Sequence, residues 1–158
     1  MSKSIMPGQW RSIPVQKADF TYFYEMAVRW GDLDVLGHVN NAELIRYLEC
    51  GRIAYGDEVL NLRFTPSIDE GWILADLQCT FHRQLRYPAA ITVGTRISRL
   101  GNRSMELTGA ILLGDELILS ARVVGVWFDY KAQKSKPIPD AVRAAVRAFE
   151  KIQPEEAA

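Results

Sequence analysis

The feature that most limits the possible folds is one helix whose apolar residues cover more than a single stripe. Asn40 is a suitable N-cap, and Glu43 three residues later predicts an N-x-x-E capping box. Gly56 is the predicted end of the helix. Its apolar residues are Leu44, Ile45, Tyr47, Leu48, Ile53 and Ala54. Such a helix has to be covered on most sides, so the rest of the chain must wrap around it.

Strand-like segments on both sides of the helix can supply this cover. One strand precedes it, with apolar residues at alternate positions from Phe20 to Val28. Three more alternating segments follow, at 73–81, 91–97 and 105–111. The last long segment, "ELILSARVVGVWFDY", is apolar on both faces from Val123 onward, which is typical of a central strand or of a strand in a subunit interface.

Turn sequences divide the second half of the chain. "YPAA", "LGNR" and "LGDE" separate the strands, and the last two are short enough for hairpins, so four strands are predicted to form an antiparallel meander. In the segment 73–81, the alternate residues from Ile73 to Phe81 are predicted to form the buried face of a strand. Pro139 and Asp140 then open a helix with one apolar face, formed by Val142, Ala145, Val146 and Phe149.

The order strand, helix and four strands predicts an α+β domain. Its five-stranded antiparallel sheet would curve around one long central helix, and a C-terminal helix would follow, an arrangement that suggests the hotdog fold. We predict an N-terminal arm at 1–17, a single domain at 18–152 and a flexible tail at 153–158.

Charge and composition exclude several classes of partner. Lysine plus arginine and aspartate plus glutamate number 19 each, so no overall field draws the protein to nucleic acid or to an anionic membrane. No apolar run approaches the ~20 residues of a membrane span, and the first residues lack the apolar region of a signal peptide. We therefore expect a cytoplasmic protein. Cys50 and Cys79 fit small core thiols of a reducing compartment, although a disulfide stays open.

The segment "GDLDVLGHVNNAE", residues 31–43, allows three interpretations. Aspartate and asparagine are common in turns and helix caps, so the segment could be a plain strand-to-helix loop. It also partly matches a calcium-binding EF-hand loop, with Asp32, Asp34, Gly37 and Glu43 at ligand or turn positions. However, Leu36 stands where an oxygen ligand is expected, and the preceding segment alternates like a strand. The third interpretation is a catalytic site.

A family resemblance favours the catalytic interpretation. "VRWGDLDVLGHVNNAELIRYLECGR" resembles the opening motif of the hotdog acyl-CoA thioesterases of the 4-hydroxybenzoyl-CoA thioesterase type. "CTFHRQLRYP", "VGVWFDY" and the following "PIP" resemble later strands of that family, and the likeness runs from about Phe20 to Pro139. The resemblance implies hydrolysis of coenzyme A or acyl-carrier-protein thioesters without a metal or redox cofactor. In that family the second aspartate of D-x-D is the catalytic carboxylate, which corresponds to Asp34. Asp32 would then support the loop, and Gly37 would let the thioester approach closely.

The chemistry requires few groups. A glycine turn before a helix N-terminus presents free amides, here near His38, Asn40 and Asn41, that can hold the oxyanion formed from a thioester carbonyl. A thiolate leaves without much protonation because the pKa of a thiol is ~8.5. Asp34 could attack directly or act as a base toward water, and the sequence allows both.

Three alternatives to this assignment stay open. Asp34 and His38 could form an acid–base pair in an enoyl-thioester hydratase, although His38 could equally be a loop-packing residue. Glu49 could be the catalytic carboxylate, although Arg52 three residues later favours an ion pair. The protein could also bind acyl thioesters without hydrolysing them.

Outside the motif, two further features bear on substrate and partners. Arg99, Arg103 and Ser104 surround a Gly-Asn turn that could hold the phosphates of coenzyme A or could be a solvated turn. His82 lies on the polar face of its strand and is predicted to be solvated. The doubly apolar final strand predicts a homodimer or a homotetramer, because one helix cannot cover both faces.

Overall fold

The computed structural model describes residues 13–156 and contains one curved sheet with two α-helices. Residues 1–12 of the predicted arm and residues 157–158 of the predicted tail lie outside this range. The elements are β1 (Tyr22–Ala27), α1 (Asn41–Leu60), β2 (Glu70–Phe81), β3 (Ala90–Leu100), β4 (Ser104–Leu113), β5 (Glu116–Asp129), β6 (Lys134–Ser135), α2 (Asp140–Phe149) and β7 (Glu155–Glu156). Within the described range, neither helix is long and apolar enough to cross a membrane.

The five long strands are antiparallel and lie in the order β1, β3, β4, β5, β2, with α1 packed mainly against β1, β3 and β4. This is the predicted hotdog arrangement. The predicted four-stranded meander is wrong in one respect. Strands β3, β4 and β5 are consecutive neighbours, but β2 pairs with β5 instead of β3, with Trp72 opposite Trp127 and Phe81 opposite Leu119. The doubly apolar β5 is therefore a central strand with a neighbour on each side.

Helix α1 begins where the sequence predicted but ends four residues later. Asn40 is the N-cap, and its side-chain oxygen accepts a hydrogen bond from the Ala42 amide at 2.8 Å. Glu43 does not complete the predicted capping box, since its carboxylate lies 3.3 Å from Arg46 and 3.6 Å from Arg29. The helix passes Gly56 and ends at Leu60, before a left-handed Asn61.

Gly56 is explained by packing and not by helix termination. A Cβ atom there would lie 2.6 Å from the Phe64 ring and 2.8 Å from the Trp72 ring. The two aromatic rings, whose centroids are 5.1 Å apart, close over the helix at this point. The glycine therefore allows the chain after α1 to return across the helix.

The sheet covers only one side of α1. Leu44, Leu48 and Tyr55 are at most 3% exposed against the sheet, whereas Ile53 on the opposite side is 39% exposed. The expectation that the helix is covered on most sides therefore does not hold for the face that carries Ile53, because the half-open sheet does not reach that face.

The edge strand β2 is much less buried than its alternating pattern predicted. Ile73 and Phe81, on the face predicted to be buried, are 39% and 43% exposed, and Leu74, on the opposite face, is 51% exposed. A bulge interrupts the pairing with β5 between Leu74 and Asp76. The inward and outward faces of β2 are therefore both partly open to solvent.

The C-terminal segment packs back onto the sheet. Helix α2 begins after Pro139, and Val142 and Val146 are buried as the sequence predicted. Residues 155–156 of the predicted flexible tail instead form β7, which runs parallel to the end of β3. The carboxylate of Glu156 also pairs with Arg147 at 2.6 Å.

The close approach of α1 to β3 predicts that Gly51→Ala destabilises the fold. A Cβ atom at Gly51 would lie 2.5 Å from Val93 Cγ1, and overpacking typically costs about 1–3 kcal/mol, more than the gain of up to about 1 kcal/mol from helix propensity. Denaturant unfolding should report the loss. Gly31→Ala is the control, because nothing lies within 4 Å of a Cβ atom there. Equal unfolding midpoints for the two variants would contradict this packing argument.

Candidate active site

Asp32 fixes the loop between β1 and α1. Its side chain is 7% exposed, and its two oxygens accept hydrogen bonds from Arg29 Nε and Nη2, both at 2.9 Å. The hydroxyl of Tyr47, on α1, donates to the same carboxylate. The backbone carbonyl of Asp32 accepts from the amide of Asn40 at 2.9 Å. One residue therefore connects the end of β1, the short 3-10 turn at Trp30–Asp32 and the start of α1.

These contacts shift the pKa values of the groups that make them. The hydrogen bonds from Arg29 outweigh burial and lower the pKa of Asp32, which keeps that carboxylate ionised. Burial, helped by the neighbouring Asp32 charge, raises the pKa of Tyr47 to about 12. The phenol therefore stays protonated and can donate to the carboxylate.

Asp34 forms the tight turn that precedes the helix. Its amide donates to the His38 carbonyl at 2.7 Å, and its carbonyl accepts from the Gly37 amide at 3.0 Å. Its Oδ1 atom accepts from the amides of Leu36, at 2.8 Å, and His38, at 3.3 Å. Gly37 has a φ of 76°, a conformation that glycine adopts without strain. Within residues 13–156, Oδ2 of Asp34 accepts no hydrogen bond, so one carboxylate oxygen is held and the other is available.

Most of the amides predicted for an oxyanion hole already have partners. The amide of His38 donates to Asp34, that of Val39 donates to Leu85, and that of Asn40 donates to Asp32. The amide of Asn41, in the first turn of α1, has no hydrogen-bond partner in the described part of the chain. Of the amides of residues 38–41 that were expected to hold the oxyanion, that of Asn41 alone is free in the described residues. It lies at the positive end of the α1 dipole.

Asp34, His38 and Asn41 line one cavity of about 350 Å³ at the start of α1. Leu36 and Leu44 line the same cavity, together with residues 81–85 at and just after the end of β2. Nε2 of His38 is buried without a hydrogen-bond partner within residues 13–156. Gly37 and Asn40 shape the turn and cap the helix without lining the cavity. The residues that line the cavity thus include one with a free carboxylate oxygen, one with a free amide and one with an unpaired imidazole nitrogen.

His82 is exposed, as the sequence predicted, and it also lines this cavity. Its Nε2 atom lies 2.8 Å from Oγ of Ser120, a serine that is fully buried on β5. Its backbone amide donates to the Ile118 carbonyl. No local sequence signal could predict this contact, because it depends on the pairing of β2 with β5.

Glu49, the alternative catalytic carboxylate, does not form the expected ion pair with Arg52 in the described residues. Arg52 is 8% exposed, and no ion pair within 4 Å joins it to Glu49 in residues 13–156. Its Nη1 atom is buried without a hydrogen-bond partner there, and burial lowers the pKa of this guanidinium. Cys50 and Cys79 are free thiols, and burial raises the pKa of Cys79.

The predicted phosphate-binding hairpin lies at the other end of the sheet. Arg99 and Ser104 line a separate cavity of about 270 Å³, and Arg103 donates to the carbonyl of Ser135 at 3.2 Å. Ser104 pairs with Val126, six residues along β5 from Ser120, which is a separation of about 20 Å at ~3.3 Å per residue. Within one chain, the hairpin and the Asp34 cavity are therefore far apart.

The calcium interpretation does not fit the observed loop. Strand β1 and a 3-10 turn precede the segment, where an EF-hand requires a helix. Glu43, at the twelfth position, contacts arginines. Among residues 13–156, no three His, Cys, Asp or Glu side chains converge as a possible metal site.

The fold and the loop at Asp34 define a hotdog protein of the thioesterase class. Residues 28–146 match the sequence profile of the Thioesterase-like superfamily, so the chain belongs to that superfamily. This range includes the whole loop, α1 and all the long strands after it.

Individual relatives agree with this placement. The PA2801 protein of Pseudomonas aeruginosa is 31% identical, with a TM-score of 0.74 over 80% of this chain and 98% of that one. A thioesterase of Thermus thermophilus, solved with coenzyme A and zinc, is 28% identical, with a TM-score of 0.72 over 84% of this chain and 96% of that one. The uncharacterized protein YsmA of Bacillus subtilis is 29% identical over 91 residues, which are 58% of this chain and 60% of YsmA.

The buried Asp32 contacts predict that Asp32→Asn lowers stability in a pH-dependent way. Losing a charged, buried hydrogen-bond acceptor should cost about 1–3 kcal/mol at pH 7. A lowered pKa means that the ionised Asp32 stabilises the fold above the unfolded-state pKa of ~3.9 and that this contribution is lost as the pH falls through the lower folded-state value. The difference between wild type and variant should therefore shrink below about pH 4.

Unfolding curves at pH 7 and pH 3 test this dependence. Asp115→Asn is the matched control, because Asp115 is paired only with Lys17 on the surface and should change stability little. A destabilisation of Asp32→Asn that stays constant from pH 7 to pH 3 would mean that the ionised carboxylate is not the stabilising group.

Proposed function

We propose that the protein hydrolyses acyl-coenzyme A thioesters at the Asp34 cavity. The observation that carries the proposal is the different state of the two oxygens of the Asp34 carboxylate. Oδ1 is held by two loop amides, whereas Oδ2 has no partner in residues 13–156 and belongs to a residue that lines the cavity. A carboxylate held in this way is oriented before the substrate arrives, which favours attack or base catalysis.

The first turn of α1 would stabilise the charge that develops on the thioester oxygen. The free amide of Asn41 lies at the positive end of a 20-residue helix dipole and belongs to a residue that lines the same cavity as Asp34. The buried Nε2 of His38 is a second polar atom of a residue that lines the cavity. Asp34 could act as nucleophile or as general base, and the thiolate of coenzyme A would leave unprotonated.

Enoyl-thioester hydration is the rival reaction, and the hydrogen bonds favour it less. The Asp34 carboxylate bonds the backbone amide of His38, and no hydrogen bond joins it to the His38 ring in the described residues. A paired acid and base for adding water across a double bond is therefore not formed.

Asp34→Asn should reduce kcat for thiol release by ~10²-fold or more, as is typical for loss of a general base or nucleophile. The change is nearly isosteric and keeps an oxygen that can accept from the two loop amides, so KM should change little. Free thiol released from a panel of aliphatic and aromatic acyl-coenzyme A substrates, and from an acyl carrier protein carrying the same acyl groups, is the measurement.

Glu49→Gln is the matched control and should retain most of its turnover, because Glu49 is exposed on α1 outside the Asp34 cavity. Near-normal thiol release by Asp34→Asn alongside an inactive Glu49→Gln variant would place the site on the helix instead. A wild-type protein that binds thioesters without releasing thiol would be a binding module. Accumulation of a hydrated thioester would make it a hydratase.

We also propose that two copies of the chain pair through β2. This strand has 12 residues, and within residues 13–156 one of its edges has no neighbouring strand. It contains neither lysine nor proline to protect that edge, and Leu74 at its bulge is 51% exposed. Antiparallel pairing around a two-fold axis would bring the Glu70 end of one β2 to the Phe81 end of the other. The basic hairpin of the partner would then approach the Asp34 cavity, which would overcome the separation of about 20 Å within one chain.

Leu74→Lys should weaken this pairing, because it places charge on the exposed strand edge. Sedimentation at micromolar concentration should show a smaller particle than the wild type. Ile152→Lys is the control, since Ile152 is a comparably exposed aliphatic residue (42%) on the C-terminal segment. A wild-type monomer at that concentration would exclude the dimer and a site shared between subunits.

A further inference from the structure

One arginine of α2 is bonded to the turn between β3 and β4. Nη2 of Arg143 donates to the carbonyls of Gly101 and Asn102, the latter at 3.1 Å, and its Nε donates to the carbonyl of Ile138 at 3.4 Å. The amide of Ile138 donates to the same Asn102 carbonyl at 2.9 Å. Both carbonyls of the turn are therefore directed toward α2 and the segment that leads into it.

The direction of these carbonyls also fixes the direction of two amides. In a planar trans peptide, the N–H points opposite to the C=O of the same peptide unit. The amides of Asn102 and Arg103 belong to the two peptide units whose carbonyls Arg143 binds, so both amides are directed away from α2. Neither amide has a hydrogen-bond partner in residues 13–156. Successive free amides of a turn are suited to binding an anion such as phosphate.

Side chains around the same turn add further groups for an anion. Arg99, Asn102 and Ser104 line the cavity of about 270 Å³, and their side chains form no hydrogen bond or ion pair within the described part of the chain. The side chain of Arg103, in contrast, is occupied by Ser135, because its Nη1 donates to the carbonyl at 3.2 Å and lies 3.3 Å from Oγ. The turn therefore presents backbone amides, a guanidinium, a side-chain amide and a hydroxyl.

The charges of this cavity favour a negative ligand. Glu106 also lines it, but its carboxylate accepts a hydrogen bond from Nε of Arg122 at 2.8 Å. This pairing neutralises the acidic side chain and leaves the charge of Arg99 uncompensated in the described residues.

We propose that Arg143 is a positioning residue for coenzyme A. It holds the turn so that the amides of Asn102 and Arg103, together with the side chain of Arg99, bind the phosphates of the coenzyme. Arg143 itself does not line the cavity. Because the turn is ordered before the coenzyme arrives, little entropy is lost in ordering it on binding, which increases the affinity. The inference rests on the proposed function, since it takes the substrate to be a coenzyme A thioester.

Arg143→Gln should raise KM for an acyl-coenzyme A by at least ~10-fold and leave kcat within ~2-fold, because the turn acts on binding and not on the chemical step. The same acyl group on pantetheine, which lacks the nucleotide and the phosphates, should keep its KM. A general loss of structure would instead impair both substrates. Arg147→Gln is the matched control, because it removes one positive charge from the same helix and breaks an exposed pair with Glu156.

Calorimetric titration with free coenzyme A measures binding without turnover. Kd should rise at least ~10-fold in Arg143→Gln and stay at the wild-type value in Arg147→Gln. It should rise less in Arg143→Lys, which keeps the charge and loses the planar fork that reaches several carbonyls. Thermal melts report whether each variant is folded, and if Arg143→Gln is not, Arg143→Lys decides the question.

An unchanged Kd in the folded Arg143 variants would overturn the proposal. An equal loss of affinity in Arg147→Gln, or an equal rise of KM for the acyl-pantetheine, would overturn it as well, and thiol release by the wild type would then still support the proposed function. A wild-type protein that binds coenzyme A in an Arg143-dependent way and releases no thiol would contradict only the proposed hydrolysis.

Discussion

The buried carboxylate of Asp32 is the constraint on which the site depends. An ionised group that is 7% exposed is costly unless it is paired, and here Arg29, Tyr47 and the surrounding turn provide the pairing. These partners belong to the end of β1 and to α1, so the charge ties together the two elements between which the loop runs. The turn at Asp34 is thereby attached to α1 through the buried Tyr47.

The loop interpretation and the catalytic interpretation of Asp34 each apply to a different oxygen of its carboxylate. Its Oδ1 atom behaves as the loop interpretation predicts, since it accepts two backbone amides in the turn. Its Oδ2 atom is the one that the proposed chemistry needs. The same hydrogen bonds that fix the turn also consume the amide of His38, which leaves the amide of Asn41 to face a developing oxyanion. Turn formation therefore uses amides that the proposed catalysis would need, and it leaves a small number of free groups near the loop.

Residues 13–156 of a single chain leave two surfaces uncovered. The sheet closes around only one side of α1, so the face with Cys50 and Ile53 points away from the sheet. One edge of β2 has no neighbouring strand in this range. Both surfaces combine apolar residues with charges. They also explain why Ile53 and Ile73, which the sequence pattern assigned to buried positions, are each 39% exposed.

Local sequence signals determined a large part of this protein. Asn40 starts α1 because its side chain satisfies a free helix amide, Pro139 starts α2, and the two short turns around Gly101 and Gly114 join β3, β4 and β5 as predicted. The D-x-D loop and the start of its helix were recognisable because, apart from the bond from Val39 to Leu85, the hydrogen bonds of the loop join residues at most 15 positions apart.

Tertiary structure alone decided the contacts between distant segments. The placement of β2 beside β5 brought His82 to Ser120, and the packing of Phe64 and Trp72 made Gly56 a contact point within α1 instead of its end. Burial also left Arg52 without the ion pair that its spacing from Glu49 suggested. Local signals are strong where a side chain meets backbone a few residues away, whereas strand order and burial depend on how the whole sheet minimises its exposed apolar surface.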